Sequence, residues 1–230
     1  MSDRSVAGMI LKQVARRNRT RLFKRFRGHR DAPWMRPFEE DIIRDLLRAQ
    51  QPMRCLELGG GMSTLQFPDL LPAKATWLTI EHDAAWTSDL RALVTRPGVT
   101  VRHVPPDDPG FSGDGDEKSF ASYLAAGDRD GPFDLVFIDG RARAAAVARS
   151  AGILAPGGCV VLHDANRDAY LGSRSIYQYE LLFRDRRAGA RHPAGGVWIG
   201  SRDRDPATLL DVTLHRAIWA FYSGVGRLLA

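Results

Sequence analysis

The chain is poor in the features that would place it outside ordinary globular proteins. It has only two cysteines in 230 residues, Cys55 and Cys159, each inside an apolar run. Two thiols without metal-ligand spacing support neither a zinc site nor a disulfide framework, so buried free thiols in a reducing compartment are expected. No apolar run approaches the roughly 18 residues a spanning helix needs; the longest candidate, Ala217–Gly226, is far shorter. The first residues are polar and Arg-rich, without the long apolar stretch of a secretory signal. A cytoplasmic location is expected, with a peripheral membrane contact as the alternative. Two signatures of enzymes that modify nucleobases are also missing. There is no Asn/Asp-Pro-Pro-Tyr/Phe for exocyclic amines, and no Pro-Cys nucleophile, since Cys159 follows Gly158. A nucleic-acid partner is therefore not expected.

What is present is a near-neutral body carrying a basic tail. The net charge of +6 divides unevenly. Residues 1–36 hold 11 Lys/Arg against 2 Asp, a local +9, and the rest of the chain is at −3. Within the tail Val6, Ile10, Val14, Leu22 and Phe26 recur at multiples of four, an apolar stripe on a basic helix that Asn18 interrupts. Such a segment reads as a surface for anionic lipid or a partner, as a targeting peptide, or as a helix packed on its own domain. The expected organisation is a basic extension over residues 1–33, an α/β domain over 34–205 and a C-terminal amphipathic helix over 206–230.

The body alternates strand-like and helix-like segments. Strands are expected at Arg54–Leu58, Thr76–Glu81, Val99–Val104, Phe133–Asp139, Cys159–His163, Tyr179–Phe183 and Val197–Ser201. Helices are expected at Pro37–Ala49, Ser63–Leu71, Ala84–Thr95, Glu117–Ala126, Ala142–Ala151 and Pro206–Leu229. Strands separated by helical stretches of this length argue βαβ units. The fold class expected is therefore α/β: a Rossmann-like, doubly wound, mostly parallel seven-stranded sheet with helices on both faces. The last helix carries an apolar stripe that closes the core, forms a homodimer contact or meets a membrane.

Two short motifs carry chemistry. In Glu57-Leu58-Gly59-Gly60-Gly61-Met62-Ser63-Thr64 a strand ends in glycines and opens a helix. Gly59 and Gly61 let the backbone bend and a ligand come close, and Ser63 or Thr64 is a candidate helix cap. Glu57 is placed to receive an ammonium group. The third glycine of the dinucleotide pattern would fall at Thr64, which weakens an NAD-dependent oxidoreductase reading. The second motif is Ile80-Glu81-His82-Asp83. Glu81 lies 22 positions after Gly59 at a predicted strand end, where a carboxylate accepts from ribose hydroxyls.

With Phe133-Asp-Leu-Val-Phe-Ile-Asp139-Gly140, these motifs resemble class I S-adenosylmethionine-dependent methyltransferases. Gly61–Leu65, Ile138-Asp139-Gly140 and Val161-Leu-His-Asp164 are similar to the subgroup that includes small-molecule and sugar O-methyltransferases. The resemblance covers about residues 53–201. It implies S-adenosylmethionine as cofactor and a small-molecule or glycan acceptor. Glu57, Gly59, Gly60, Gly61 and Ser63 would line its amino-acid end, Glu81 would hold the ribose, His82 would lie beside the adenosine, and Asp139 would lie near the methyl group.

For hydroxyl methylation Asp164 is the first candidate base and His163 the second, with strand alternation predicting that only one of them faces the cleft. Catechol-type relatives hold a divalent cation here, and Asp139, Asp164 and Asn166 offer oxygen donors suited to Mg²⁺. Ala165 separates Asp164 from Asn166, a departure from the adjacent pair of that pattern. Direct acid–base chemistry by Asp139, His163 and Asp164 is the alternative. Arg141, Arg143 and Arg167 near the same edge read as anion contacts or as a solvated face. A cofactor-binding module without catalysis is the remaining alternative.

Overall fold

The computed structural model describes residues 5–12, 35–185 and 195–225. Seven strands form one sheet: β1 (Arg54–Leu58), β2 (Thr76–Glu81), β3 (Val99–His103), β4 (Phe133–Ile138), β5 (Leu154–His163), β6 (Tyr179–Phe183) and β7 (Val197–Ser201). Their order is β3-β2-β1-β4-β5-β7-β6. All neighbours are parallel except β7, which runs antiparallel to both β5 and β6. The chain winds outward from β1 to β3, then returns to start again at β4. That reversal puts a topological switch point between β1 and β4, where the connections at the strands' C-terminal ends diverge and leave a crevice.

Helices are α1 (residues 6–12), α2 (Pro37–Gln50), α3 (Met62–Gln66), α4 (Ala84–Leu93), α5 (Ala121–Ala125), α6 (Arg143–Ser150) and α7 (Val212–Val225). On one face of the sheet Ile42, Ile43, Leu46 and Leu47 of α2 and Leu214, Ile218 and Trp219 of α7 pack against Cys55, Leu135 and Val161. On the other, Phe120, Tyr123 and Leu124 from the α5 region and Ala146 and Val147 of α6 pack against Leu56, Val136 and Val160. The strands are buried on both faces, so they read as continuous apolar runs. Each fully buried aliphatic side chain of α2 contributes about 1.5–3 kcal/mol.

Local chemistry explains where the elements depart from expectation. The helix after β1 stops at Gln66 and gives way to a 3₁₀ turn, Pro68–Leu70, because Pro68 brings no N–H to continue it. Only Ala121–Ala125 of the expected third helix forms, since the Asp116 carboxylate takes the Ser119 N–H and hydroxyl into a local turn. The final helix also splits. Pro206–Leu209 is a 3₁₀ turn, and α7 begins at Val212, where the Asp211 carboxylate accepts from the Leu214 N–H. Strand β5 starts earlier than expected, at Leu154, with an irregularity in its pairing to β4 around the Pro156-Gly157-Gly158 turn.

The apolar side of α7 closes the core. Val6 and Met9 of α1 lie against the same cluster, so the first part of the basic stripe packs on the domain itself. Val14, Leu22 and Phe26 lie outside the described residues. No helix among the described residues is long and apolar enough to cross a membrane.

Candidate active site

At the switch point the turns after β1 and β4 touch. The Gly59 N–H donates to the Ile80 carbonyl, and the Asp139 N–H donates to Leu58. Gly59 has φ +97°, a left-handed backbone that favours glycine. A Cβ there would stand 2.2 Å from the Gly140 Cα, and one on Gly140 would stand 2.2 Å from the Tyr123 hydroxyl. Neither position tolerates a side chain, which is the physical content of both the glycine turn and the Ile-Asp-Gly motif.

Glu57 is wholly buried beneath this turn. Its carboxylate accepts from the hydroxyls of Ser63 (2.5 Å), Thr64 (2.6 Å) and Thr79 (2.7 Å) and from the Trp77 indole N–H (2.9 Å). Burial pushes its pKa up to about 7, against the pull of those four hydrogen bonds. Gly61 is the N-cap of α3, and of the two expected caps Thr64 takes part: its hydroxyl accepts from the Gly61 N–H at 3.1 Å, while the Ser63 and Thr64 hydroxyls both donate inward to the carboxylate. Glu57 thus ties β1, β2 and α3 together below the turn. Gly60 is packed tightly, since a Cβ would meet Leu90 at 2.7 Å, whereas at Gly61 the nearest atom would be 3.7 Å away. The turn therefore leaves space beside Gly61, whose N–H and carbonyl are both bonded to Thr64.

Glu81 ends β2 beside it. Its Oε2 accepts from the Gly60 N–H and its Oε1 from the His82 and Asp83 N–H groups, all at 2.8 Å. Burial raises its pKa, but the contacts with His82, Asp83 and Gly60 outweigh it and hold the carboxyl below the usual range. With one donor on Oε2, that oxygen keeps lone-pair capacity for a ligand. The His82 ring meets Phe111, Phe120 and Tyr123 edge-to-face at 5.7–6.5 Å. Trp86 donates its indole N–H to the Gly60 carbonyl at 2.8 Å.

Across the crevice, Asp139, His163 and Asp164 come together. His163 Nδ1 lies 2.9 Å from Asp139 Oδ1, and its Nε2 lies 3.5 Å from Glu39 on α2. Burial alone would neutralise this ring. Asp139 and Glu39 outweigh it and raise the pKa to about 10, so His163 is an imidazolium at neutral pH. Glu39 is the complement: burial acts to raise its pKa, yet His163 and Arg36 bring it down to about 2. Arg143 spans the two aspartates. Its Nη1 donates to Asp164 Oδ2 at 2.9 Å, and its Nη2 to the Asp139 carbonyl at 2.9 Å and Oδ1 at 3.0 Å. Burial works against that charge, but Asp139 and Asp164 keep its pKa above the usual value.

Strand alternation predicted that His163 and Asp164 point to opposite sides. The structure corrects this. β5 ends at His163, and Asp164 adopts φ +63°, which swings its carboxylate back to the same cluster. Its Oδ1 accepts from the Gly195 N–H at 2.6 Å, while the next N–H, of Gly196, donates to Glu39 at 2.6 Å. The two glycines have φ of +90° and +93°. Among the described residues Asp139 Oδ2 is left without a hydrogen bond, while both Asp164 oxygens are engaged.

The expected Asp139–Asp164–Asn166 metal set is not assembled. Arg143 occupies the space between the aspartates, and Asn166 Oδ1 turns away to accept from the Asp185 N–H at 2.9 Å. These side chains do not fit Mg²⁺, which demands several oxygen donors converging at about 2.1 Å. Sequence reasoning passed over Glu39, Gly195 and Gly196, and treated Arg143 as one arginine among many. Only the paired glycines ahead of β7 and an acid in the first turn of α2 were visible as signals.

No protein-family model matches the chain, and no curated protein matches it. Solved structures do. An O-methyltransferase from Bacillus cereus, in complex with SAH, is similar over 87% of this chain and 92% of its own, with 14% identity and a TM-score of 0.55. A methyltransferase from Geobacter sulfurreducens is similar over 89% and 91%, at 16% identity and a TM-score of 0.53. A methyltransferase-like protein from Silicibacter pomeroyi is similar over 80% and 96%, at 22% identity and a TM-score of 0.52. The chain has the fold of a class I methyltransferase. At these identities the likeness is one of architecture alone.

Proposed function

We propose that this protein is an S-adenosylmethionine-dependent methyltransferase that methylates a hydroxyl group of a small molecule or sugar. The observation that carries the reading is the pairing of groups across one crevice. A glycine turn and a ribose-type carboxylate, Glu81, stand at the ends of β1 and β2, and Asp139, whose Oδ2 has no hydrogen bond among the described residues, stands at the end of β4. The Bacillus cereus fold neighbour, an O-methyltransferase solved with SAH, supports the same assignment.

When bound, the cofactor supplies an electrophilic methyl group on a sulfonium. The backbone of Gly59–Gly61 receives its amino-acid end, and Glu81 Oε2 accepts from the ribose. His82 and Phe111 offer an aromatic wall to the adenine. Glu57 acts from below, holding Ser63 and Thr64 so that the turn keeps its shape. Asp139 Oδ2 takes the proton as the acceptor hydroxyl attacks. Asp164 positions Arg143, and His163, already protonated, orients Asp139 rather than serving as the base.

Transfer of a labelled methyl group into a panel of sugar and phenolic hydroxyl acceptors tests this. The wild-type protein labels at least one acceptor. Asp139→Asn lowers kcat by roughly 10²–10⁴-fold while leaving affinity for S-adenosylhomocysteine nearly unchanged. An unaltered rate in that variant removes Asp139 as the base.

A further inference from the structure

Arg143, held between the carboxylates of Asp139 and Asp164, has no part in the roles assigned above. We propose that the Arg143 guanidinium is the resident cation of the acceptor site, standing where a divalent metal would otherwise bridge Asp139 and Asp164, so that the acceptor is held through a single hydroxyl and not as a chelating pair of adjacent oxygens. The acceptor half rests on the methyl-transfer reading above; the cation half does not.

Three observations carry it. First, the guanidinium makes the contacts a bridging ion would make. Its Nη1 and Nη2 reach Asp164 Oδ2 at 2.9 Å and Asp139 Oδ1 at 3.0 Å, with the side chain only 11% exposed. It also lies 5.4 Å from the centre of the Tyr170 ring. Second, the backbone is bent to bring this about. Ala142 just before α6 and Asp164 just after β5 both adopt left-handed φ, +50° and +63°. Such conformations cost of order 1–3 kcal/mol at non-glycine residues and cluster at functional sites. The Asp114 carboxylate fixes the start of α6 by accepting from the Arg143 N–H at 2.8 Å.

Third, both aspartates are already engaged by basic side chains. Asp139 pairs with Arg143 and His163, and Asp164 with Arg143 and Arg167. A divalent ion entering between the aspartates would have to displace the guanidinium that spans them.

The consequence for the acceptor follows from donor arithmetic. Guanidinium has five N–H donors. Three are spent on Asp139 and Asp164, and the Nε–H is buried without a partner among the described residues. One Nη1–H remains, enough for one oxygen. A metal with open coordination positions would take two.

Mn²⁺ alone, followed by electron paramagnetic resonance, is the probe. The wild-type protein shows no Mn²⁺ binding that depends on Asp139. Arg143→Ala removes the cation that spans the two carboxylates and gains Asp139-dependent binding by roughly tenfold or more. Arg143→Gln, closer in shape, serves if the alanine variant does not fold. Asp139-dependent Mn²⁺ binding by the wild type overturns the cation half, as does a folded Arg143 variant that gains none.

In the methyl-transfer assay, EDTA leaves the rate unchanged and a mono-hydroxyl acceptor is used as well as its vicinal-diol counterpart. A strong preference for the diol overturns the acceptor half. Titration with S-adenosylhomocysteine separates the two readings: its failure sinks the methyl-transfer reading and leaves the Mn²⁺ result standing.

Discussion

At the scale of single residues, the site is built from charges that are buried because they are paired. His163 is 3% exposed and yet charged, because Asp139 and Glu39 bracket it. Its pKa is raised from 6.5 to about 10, so its contribution to stability is fully present below about pH 6.5 and is lost as pH rises through 10. Glu39 has the opposite sign. Its pKa is depressed from 4.5 to about 2, so its contribution is present above 4.5 and is lost as pH falls through 2. Urea unfolding of the wild type and of His163→Gln should therefore differ most below pH 6.5, with the wild type the more stable. The difference should shrink steadily toward pH 10. A difference that is constant with pH would mean that the ring is neutral in the folded protein.

These residues also show what a sequence conceals. The glycine turn and Glu81 were legible because their chemistry is local, a strand end followed by a backbone that must bend. Glu39 was not, since its contact with His163 closes a loop of 124 residues. Arg143 resembles every other arginine of an Arg-rich chain until Asp139 and Asp164 are seen on either side of it. The alternation argument for His163 and Asp164 failed because it assumed that the strand continued, and Asp164 leaves it with a positive φ.

At the scale of elements, the connection that leads into β7 acts on the site through its backbone. Two successive left-handed glycines aim the Gly195 N–H at Asp164 and the Gly196 N–H at Glu39. Their carbonyls accept from the Asn166 and Ala165 N–H groups, which extends the β5–β7 pairing past its last side-chain register. A Cβ on Gly196 would stand 2.5 Å from the Asn166 nitrogen and add strain at φ +93°. Gly196→Ala should lower unfolding stability by about 1–3 kcal/mol and reduce methyl transfer, while binding of S-adenosylhomocysteine, on the far side of the crevice, changes little. Equal losses in both readouts would show that the two sides of the site are coupled through the sheet.

Helix boundaries were the part of the fold least visible in advance. Pro68 and Asp116 each break a helical pattern by a local bond, or the lack of one, that apolar periodicity does not register. The strands fared better. Burial on both faces makes them dense apolar runs, and the motifs at their ends gave their direction.

At the scale of the whole molecule, the strand order β3-β2-β1-β4-β5-β7-β6 places the topological switch point, where ligands of open α/β sheets bind, between β1 and β4. The turn after β1 and the acid after β2 lie on one side, and the Asp139–Arg143–Asp164 group lies on the other. α2 and α7 brace the second side from behind. Arg36 pairs with Glu39 and Asp185, and Asp185 accepts from Trp219 and Ser223 of α7. The proposed function requires the first side of this crevice to bind the adenosyl cofactor through Glu81, and calorimetric titration with S-adenosylhomocysteine measures that binding. Saturable binding to the wild-type protein is expected, weakened by roughly tenfold or more in a folded Glu81→Ala variant as a charge-assisted hydrogen bond is lost. No binding to the wild type, or equal affinity in the variant, would rule that role out.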